Sequence, residues 1–273
     1  MIQRFKVRWV FSFMGLVFAT SLVQAQATIG AKGAALGKAT TALYEDEWGL
    51  FSNPATISSK KTSLGFYGLQ NYGFPELIDI SSVISIPLPF GYSSVGFYRF
   101  GDDLYSETNI NAGYKYVWKT VHVGAALQYR HLSLGGDYGS GGALNVTLGL
   151  LTKINEKLWL GAKVRNINRA AYNFEFNDET LPQDLSIGFM YQLEEKASFV
   201  FDVLKDVRFP VSYRGGVEVE IVENVVGRIG ATYEPVIYTF GLGYDTIRWQ
   251  INIAVQQHEI LGTSPGADIL LKL

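Results

Sequence analysis

The stretch Ile247-Arg248-Trp249-Gln250-Ile251-Asn252-Ile253-Ala254-Val255-Gln256 alternates apolar and polar residues over most of its length. Successive side chains of a β-strand point to opposite faces. Ile247, Trp249, Ile251, Ile253 and Val255 therefore share an apolar face, and Arg248, Gln250, Asn252 and Gln256 share a polar one. The same period recurs along the chain. Val121, Val123, Ala125, Leu127 and Tyr129 oppose His122, Gln128 and Arg130, and Leu158, Leu160, Ala162 and Val164 oppose Trp159, Lys163 and Arg165. Leu185, Ile187, Phe189 and Tyr191 oppose Ser186, Gly188 and Gln192; Val211, Tyr213, Val217, Val219 and Ile221 oppose Ser212, Arg214, Glu218 and Glu220. Each run has about nine to twelve residues, the length of a tilted strand that crosses a bilayer.

About fourteen such runs begin near Thr62, Ile78, Ser93, Ser106, Val121, Gly142, Leu158, Gln183, Ala197, Val211, Val225, Val236, Ile247 and Thr263. Short links (Lys119-Thr120, Glu223-Asn224, Asp245-Thr246) alternate with longer ones at 133–141 and 168–182. Tight turns at one end and longer loops at the other are the pattern of outer-membrane barrels. A soluble β-sandwich would alternate too, but its polar face would be rich in Lys, Glu and Thr. Here that face is rich in Gly, Ser and Asn, and aromatics crowd the apolar face near strand ends: Tyr114, Tyr116, Trp118, Tyr129, Tyr191, Tyr233 and Tyr244. The predicted fold class is all-β: a transmembrane antiparallel β-barrel of about 14 strands over residues 62–273.

Composition agrees. The chain has 29 glycines, 16 tyrosines and no cysteine. Disulfides and thiolate metal sites are thereby excluded. Mean hydropathy is +0.11, between that of soluble proteins and that of helical membrane proteins. Net charge is −2, and without the three basic residues of the first 25 the balance is more acidic still, which argues against nucleic acid as a partner. Those three, Arg4, Lys6 and Arg8, precede an apolar run from Trp9 to Val23 with small residues at Ala25 and Ala27. This is the layout of a secretory signal peptide over residues 1–25.

Residues 26–61 do not alternate. Gly30, Gly33 and Gly37 permit tight turns, and the acidic trio Glu45-Asp46-Glu47 follows. A phosphate-loop reading fails, because the pattern needs glycine where Lys32 stands and Ser or Thr where Ala39 stands. Inward charges of both signs are expected at Lys115, Lys163, Arg165, Asp202, Arg214, Glu218, Arg228 and Arg248. Dry and unpaired they would be costly. Either the acidic trio partners some of the arginines, or water in the lumen solvates them.

The run G-A-K-G-A-A-L-G, the acidic stretch, and F-S-N-P-A from Phe51 to Ala55 resemble the N-terminal signature of the PorV/PorQ family, which is related to FadL-like transporters of hydrophobic compounds. Residues 137–151 and 160–167 and the terminal L-G-T-S-P-G-A-D-I-L-L-K-L extend the resemblance over most of the chain. The resemblance implies a barrel whose N-terminal segment folds into the lumen as a hatch, with Asn53, Pro54 and Ala55 as the hatch motif. It implies outer-membrane residence among membrane lipid and a role in protein secretion and surface attachment of the type IX kind, with exported cargo or secretion-machine proteins as partners. The alternative it implies is passive transport of a hydrophobic ligand; a structural envelope scaffold is a third reading. Transport would require a pocket, a shifting hatch and a lateral opening. Pro87 and Pro89 are candidates for that opening, or simply end their strand. The chain departs from the usual pattern in ending on Leu273 rather than an aromatic residue.

Chemistry is sparsely signalled. His131, Ser133 and Asn145 have the spacing of an outer-membrane phospholipase triad, but Asn145 should face the lumen, His131 should face outward, and 132–141 reads as a loop. His122 reads as a lumen residue and His258 as a loop residue. Asp102-Asp103 and Asp178-Glu179 read as solvated loop acids, with weak calcium binding as the alternative. No ligand spacing for a metal and no cofactor motif is present, and the expectation is a protein that is not an enzyme.

Overall fold

The computed structural model describes residues 28–59, 61–135, 139–173 and 178–273, Asp178 and Glu179 by their backbone alone. The expected signal segment and the Asp178-Glu179 side chains lie outside what is described. Sixteen strands are present among these residues: β1 Ser63–Gln70, β2 Ile78–Leu88, β3 Gly91–Gly101, β4 Tyr105–Trp118, β5 Val121–Leu134, β6 Ser140–Lys153, β7 Leu158–Arg165, β8 Ala171–Asn173, β9 Asp178–Thr180, β10 Asp184–Glu194, β11 Ala197–Asp206, β12 Val211–Val222, β13 Val225–Tyr233, β14 Ile237–Asp245, β15 Trp249–His258 and β16 Gly262–Lys272. Fourteen of them close into an antiparallel barrel, each next to its neighbour in the chain, with β1 sealing against β16 from Ser63↔Lys272 to Leu69↔Gly266. The short strands β8 and β9 form a separate hairpin.

The alternation behaves as the period-two rule requires. On β15, Trp249, Ile251, Ile253 and Val255 are exposed on the outer wall while Gln250, Asn252, Ala254 and Gln256 are buried inward. All seven girdle aromatics are exposed on the outside. A closed barrel has no free edge, and an outer surface this apolar is stable in a bilayer. Among the described residues no helix is long and apolar enough to cross a membrane.

Some details differ from the sequence reading. Ile247 and Arg248 precede β15 and are exposed in the β14–β15 turn, so Arg248 is not a lumen charge. Strand β5 runs to Leu134, so His131 and Ser133 belong to a strand and the β5–β6 connection is shorter than alternation suggested. The long β7–β10 link contains the β8–β9 hairpin, whose Tyr172, with Leu181 just beyond β9, packs on Leu132 and Ala143 of the inner wall. Pairing between β2 and β3 is continuous from Asp79↔Phe100 to Leu88↔Gly91, with Pro87 opposite Tyr92. The strands do not part there; Pro89 lies in the turn that ends β2.

The core lies inside the barrel. Residues 28–59 run through the lumen as the short helix α1, Ala31–Ala35, a series of turns, and a 3-10 turn at Pro54–Thr56. Ala31, Ala34, Ala35, Trp48, Leu50 and Ile57 of this segment form one apolar cluster with Tyr67, Val83, Ala254 and Leu270 of the wall. The lumen is therefore packed at this level, not a continuous water-filled bore.

Candidate functional site

The lumenal segment is tied to the wall by hydrogen bonds at many points. Asp268 on β16 accepts the Ala31 N–H at 2.7 Å, which occupies one of the free donors at the start of α1. Thr239 on β14 accepts the Gly37 N–H and donates to the Ala35 carbonyl. Asp202 on β11 accepts both the Thr40 and Thr41 N–H groups through one oxygen, at 2.8 and 2.9 Å. Asn53 caps the 3-10 turn by accepting the Ala55 N–H, and its amide donates to the Thr41 carbonyl at 2.6 Å. The Asn53 amide also reaches the wall carbonyl of Leu150, at 3.2 Å.

Wall glycines make room for this backbone. A Cβ on Gly124 would lie 2.3 Å from the Ala55 nitrogen, and one on Gly149 would lie 1.9 Å from the Asn53 Oδ1. Gly216 and Gly230 receive Leu36 and Gly37 in the same way. Gly37 itself has φ +65°, a conformation that favours glycine, and sits against the Gly215 and Ala231 carbonyls. Gly30 has φ +97° and lies against Trp48; Gly33 packs on Thr40.

The charges pair differently from the expectation. Of the acidic trio, Glu45 meets a lysine, Lys115, at 3.5 Å, and Lys115 also donates to the Ile57 carbonyl. Asp46 accepts the Trp48 N–H, and Glu47 accepts the Ser63 hydroxyl. Burial pushes Asp46 up to about 7, and it also raises Glu47. No arginine pairs with the trio among the described residues: Arg165 is 2.6 Å from Asp184, and Arg228 is 2.6 Å from Glu218, which also holds Lys32 of α1 at 3.6 Å. Lys163 is buried, and among the described residues Arg214 donates a long hydrogen bond to Ser212, at 3.4 Å.

Above the segment, at the end of the barrel away from Ser63 and Leu273, a cavity of about 1080 Å³ opens. Its floor is Thr28, Ile29, Lys38, Leu50, Phe51 and Ser52 of the lumenal segment. Its walls include Leu69, Tyr98, Phe100, Tyr105, Leu132, Leu134 and Ile237. Asp79, Glu107, Asn109, Gln128, Arg130 and Arg165 interrupt the apolar lining. Lys38 is pushed down to about 8 by burial, with Arg214 adding to the effect. Sequence reasoning missed Lys38, Asp79, Glu107 and Asp268 as site residues; only the inward parity of the last three signalled them.

The triad spacing does not assemble. His131 pairs with Gly142 and Ser133 with Ser140 across the β5–β6 ladder, whereas Asn145 is buried inward opposite Gln128. His122 is inward, in a cluster with Trp159 and with Tyr44 of the lumenal segment, whose rings stack at 4.1 Å. His258 ends β15, where its Nδ1 accepts two turn N–H groups. Asp102 caps the β3–β4 turn through the Leu104 and Tyr105 N–H groups, and Asp103 lies beside it in that turn. No group of three or more metal-binding side chains occurs among the described residues.

No protein-family model and no curated protein matches the sequence. Solved structures do. The toluene transporter TodX of Pseudomonas putida superposes with a TM-score of 0.62 at 14% identity, covering 89% of this chain and 98% of that one. The monoaromatic hydrocarbon channel CymD gives 0.64 at 12%, covering 91% and 98%. A Pseudomonas aeruginosa FadL homologue gives 0.63 at 9%, covering 90% and 99%. The fold is thus that of the FadL-like outer-membrane barrels.

Proposed function

We propose that this protein is an outer-membrane channel that admits a small hydrophobic molecule into the cavity above its lumenal segment. The observation that carries this reading is the cavity itself: about 1080 Å³, largely apolar, open at the end away from Ser63 and Leu273 and floored by the docked lumenal segment. A site that is concave, apolar and marked by a few convergent polar groups suits a small ligand. The fold it shares with a toluene transporter and a hydrocarbon channel supports the same reading.

The PorV/PorQ-like role in secretion rests on the N-terminal motif. In the barrel Asn53, Pro54 and Ala55 are buried against the wall, which leaves them little surface for cargo and supports a part in docking the lumenal segment. Transport is the better supported role. Deleting the gene and following both uptake of aromatic hydrocarbons and the display of surface proteins tests it. Slower uptake with normal surface display is expected. Normal uptake with exported proteins lost from the surface would replace transport by the secretion role.

A further inference from the structure

One wall of the cavity carries a patch of uncharged polar side chains. Inward positions of β4 place Asn109 and Asn111 there, β5 adds Gln128, and β6 adds Asn145 and Thr147. Ladder register brings them together: Asn111 lies opposite Gln128, and Gln128 lies opposite Asn145. Residues directly opposite on one face have Cβ atoms about 5 Å apart, so the three amides form one continuous row. Asn109 and Thr147 flank the row on the same face, next to Asn111 and Asn145 on their strands. Asn109, Asn111, Gln128 and Thr147 line the cavity.

These amides are buried but unsatisfied. Asn109, Asn111 and Asn145 are 3%, 2% and 1% exposed. Yet the Asn109 Oδ1, the Asn111 Nδ2 and both amide ends of Asn145 have no hydrogen-bond partner among the described residues. Buried polar atoms are costly unless something bonds them. The open atoms are donors and acceptors together, and the charge beside them is balanced. Arg130, opposite Asn109, donates to Gln128 at 2.9 Å and has Glu107 as its neighbouring acid. A hydrocarbon would leave every open atom unpaired, and an anion would leave the acceptors so. Successive same-face residues of a strand are about 7 Å apart, which leaves room for one oxygen hydrogen-bonded to both Asn109 and Asn111. Rings stand next to this place. Phe51 of the lumenal segment packs on Gly96, which is opposite Asn111, and Tyr98 is opposite Asn109.

We propose that the cavity selects an uncharged alcohol or phenol, its hydroxyl held between Asn109 and Asn111 beside Gln128 and its apolar body against Phe51 and Tyr98. A hydroxyl both donates and accepts, so it satisfies open atoms of either kind. A site built around such a bond also rejects the analogue that lacks the group, because the site's own polar atoms are then left unpaired. This inference rests on the channel reading above and narrows it from a hydrophobic molecule to a neutral hydroxyl compound.

Three probes of one ring skeleton separate the possibilities: 2-naphthol, its isostere 2-methylnaphthalene and the anion naphthalene-2-sulfonate. Each is titrated at neutral pH into the full-length protein in one non-ionic detergent, and binding is read from probe fluorescence. Because detergent takes up the probes, affinities are read as differences between wild type and the variants Asn109→Leu and Asn111→Leu. Each variant is expected to weaken 2-naphthol about fivefold, the loss of one neutral hydrogen bond, and to leave 2-methylnaphthalene bound as tightly or more so. Retained binding of 2-methylnaphthalene also shows that each variant is folded. 2-Naphthol affinity unmoved in one or both variants would mean that the amides are merely hydrated, and would overturn the hydroxyl site while leaving the channel reading intact. A fall in naphthalene-2-sulfonate affinity as large as that of 2-naphthol would overturn the preference for an uncharged group. Binding of none of the three to wild type would overturn both the site and the channel reading.

Discussion

Asn53 serves three partners at once. Its side chain accepts from Ala55 and donates to Thr41, joining the two arms of the lumenal segment, and its amide also reaches the wall. It is fully buried, so Asn53→Ala leaves backbone groups without partners, at a cost of about 2–4 kcal/mol. A lower Tm on heating is expected, with the β-sheet signal at room temperature kept. Asp46 carries the pH dependence. Burial raises it from 3.8 to about 7, so the docked segment holds a proton that the free chain gives up. Docking stability therefore falls as pH rises from about 4 to about 7 and levels off above. Hydrogen exchange across residues 28–59, corrected for intrinsic rates, should be slower at pH 5 than at pH 7. In Asp46→Asn that difference should shrink.

At the scale of elements, the barrel wall and the lumenal segment are held by different interactions. The strands are fixed by fourteen antiparallel ladders and by apolar residues on the outer face. The lumenal segment has only a five-residue helix and a 3-10 turn, too little to be stable alone. Its position comes from wall acids, wall hydroxyls and the glycine recesses of β5, β6, β12 and β13. Gly149→Val therefore has a specific consequence. Its side chain collides with Asn53 and must displace the Pro54–Thr56 turn, while valine suits the strand itself. Faster exchange in residues 45–59 with an unchanged far-ultraviolet spectrum is the expected result; protection equal to wild type would contradict the recess argument.

For the whole molecule, the packed segment and the cavity above it make a vessel closed below and open above. Deleting residues 28–59 should leave a barrel lined by polar residues such as Asn111, Lys115, Asn145 and Lys163. In planar bilayers the full chain is expected to be nearly silent and the deletion variant to conduct steadily. Unchanged blockage would show that something other than this segment closes the lumen.

The barrel was legible in the residues because a bilayer imposes a one-dimensional rule: outward positions must be apolar, and the strand period converts that into alternation. Strand number, most boundaries and the girdle aromatics could be read in this way. The lumen could not, because inward positions answer to partners distant in sequence. Inward glycines read as a wet, undemanding face, yet Gly124, Gly149, Gly216 and Gly230 are recesses for particular backbone atoms. Glu45 sought an arginine on paper and met Lys115, and Arg248 fell one position short of its strand. Alternation determines which side of the wall a residue faces; only the closing of the barrel decides which residues then meet across it, since that depends on strand order, register and the path of the segment inside.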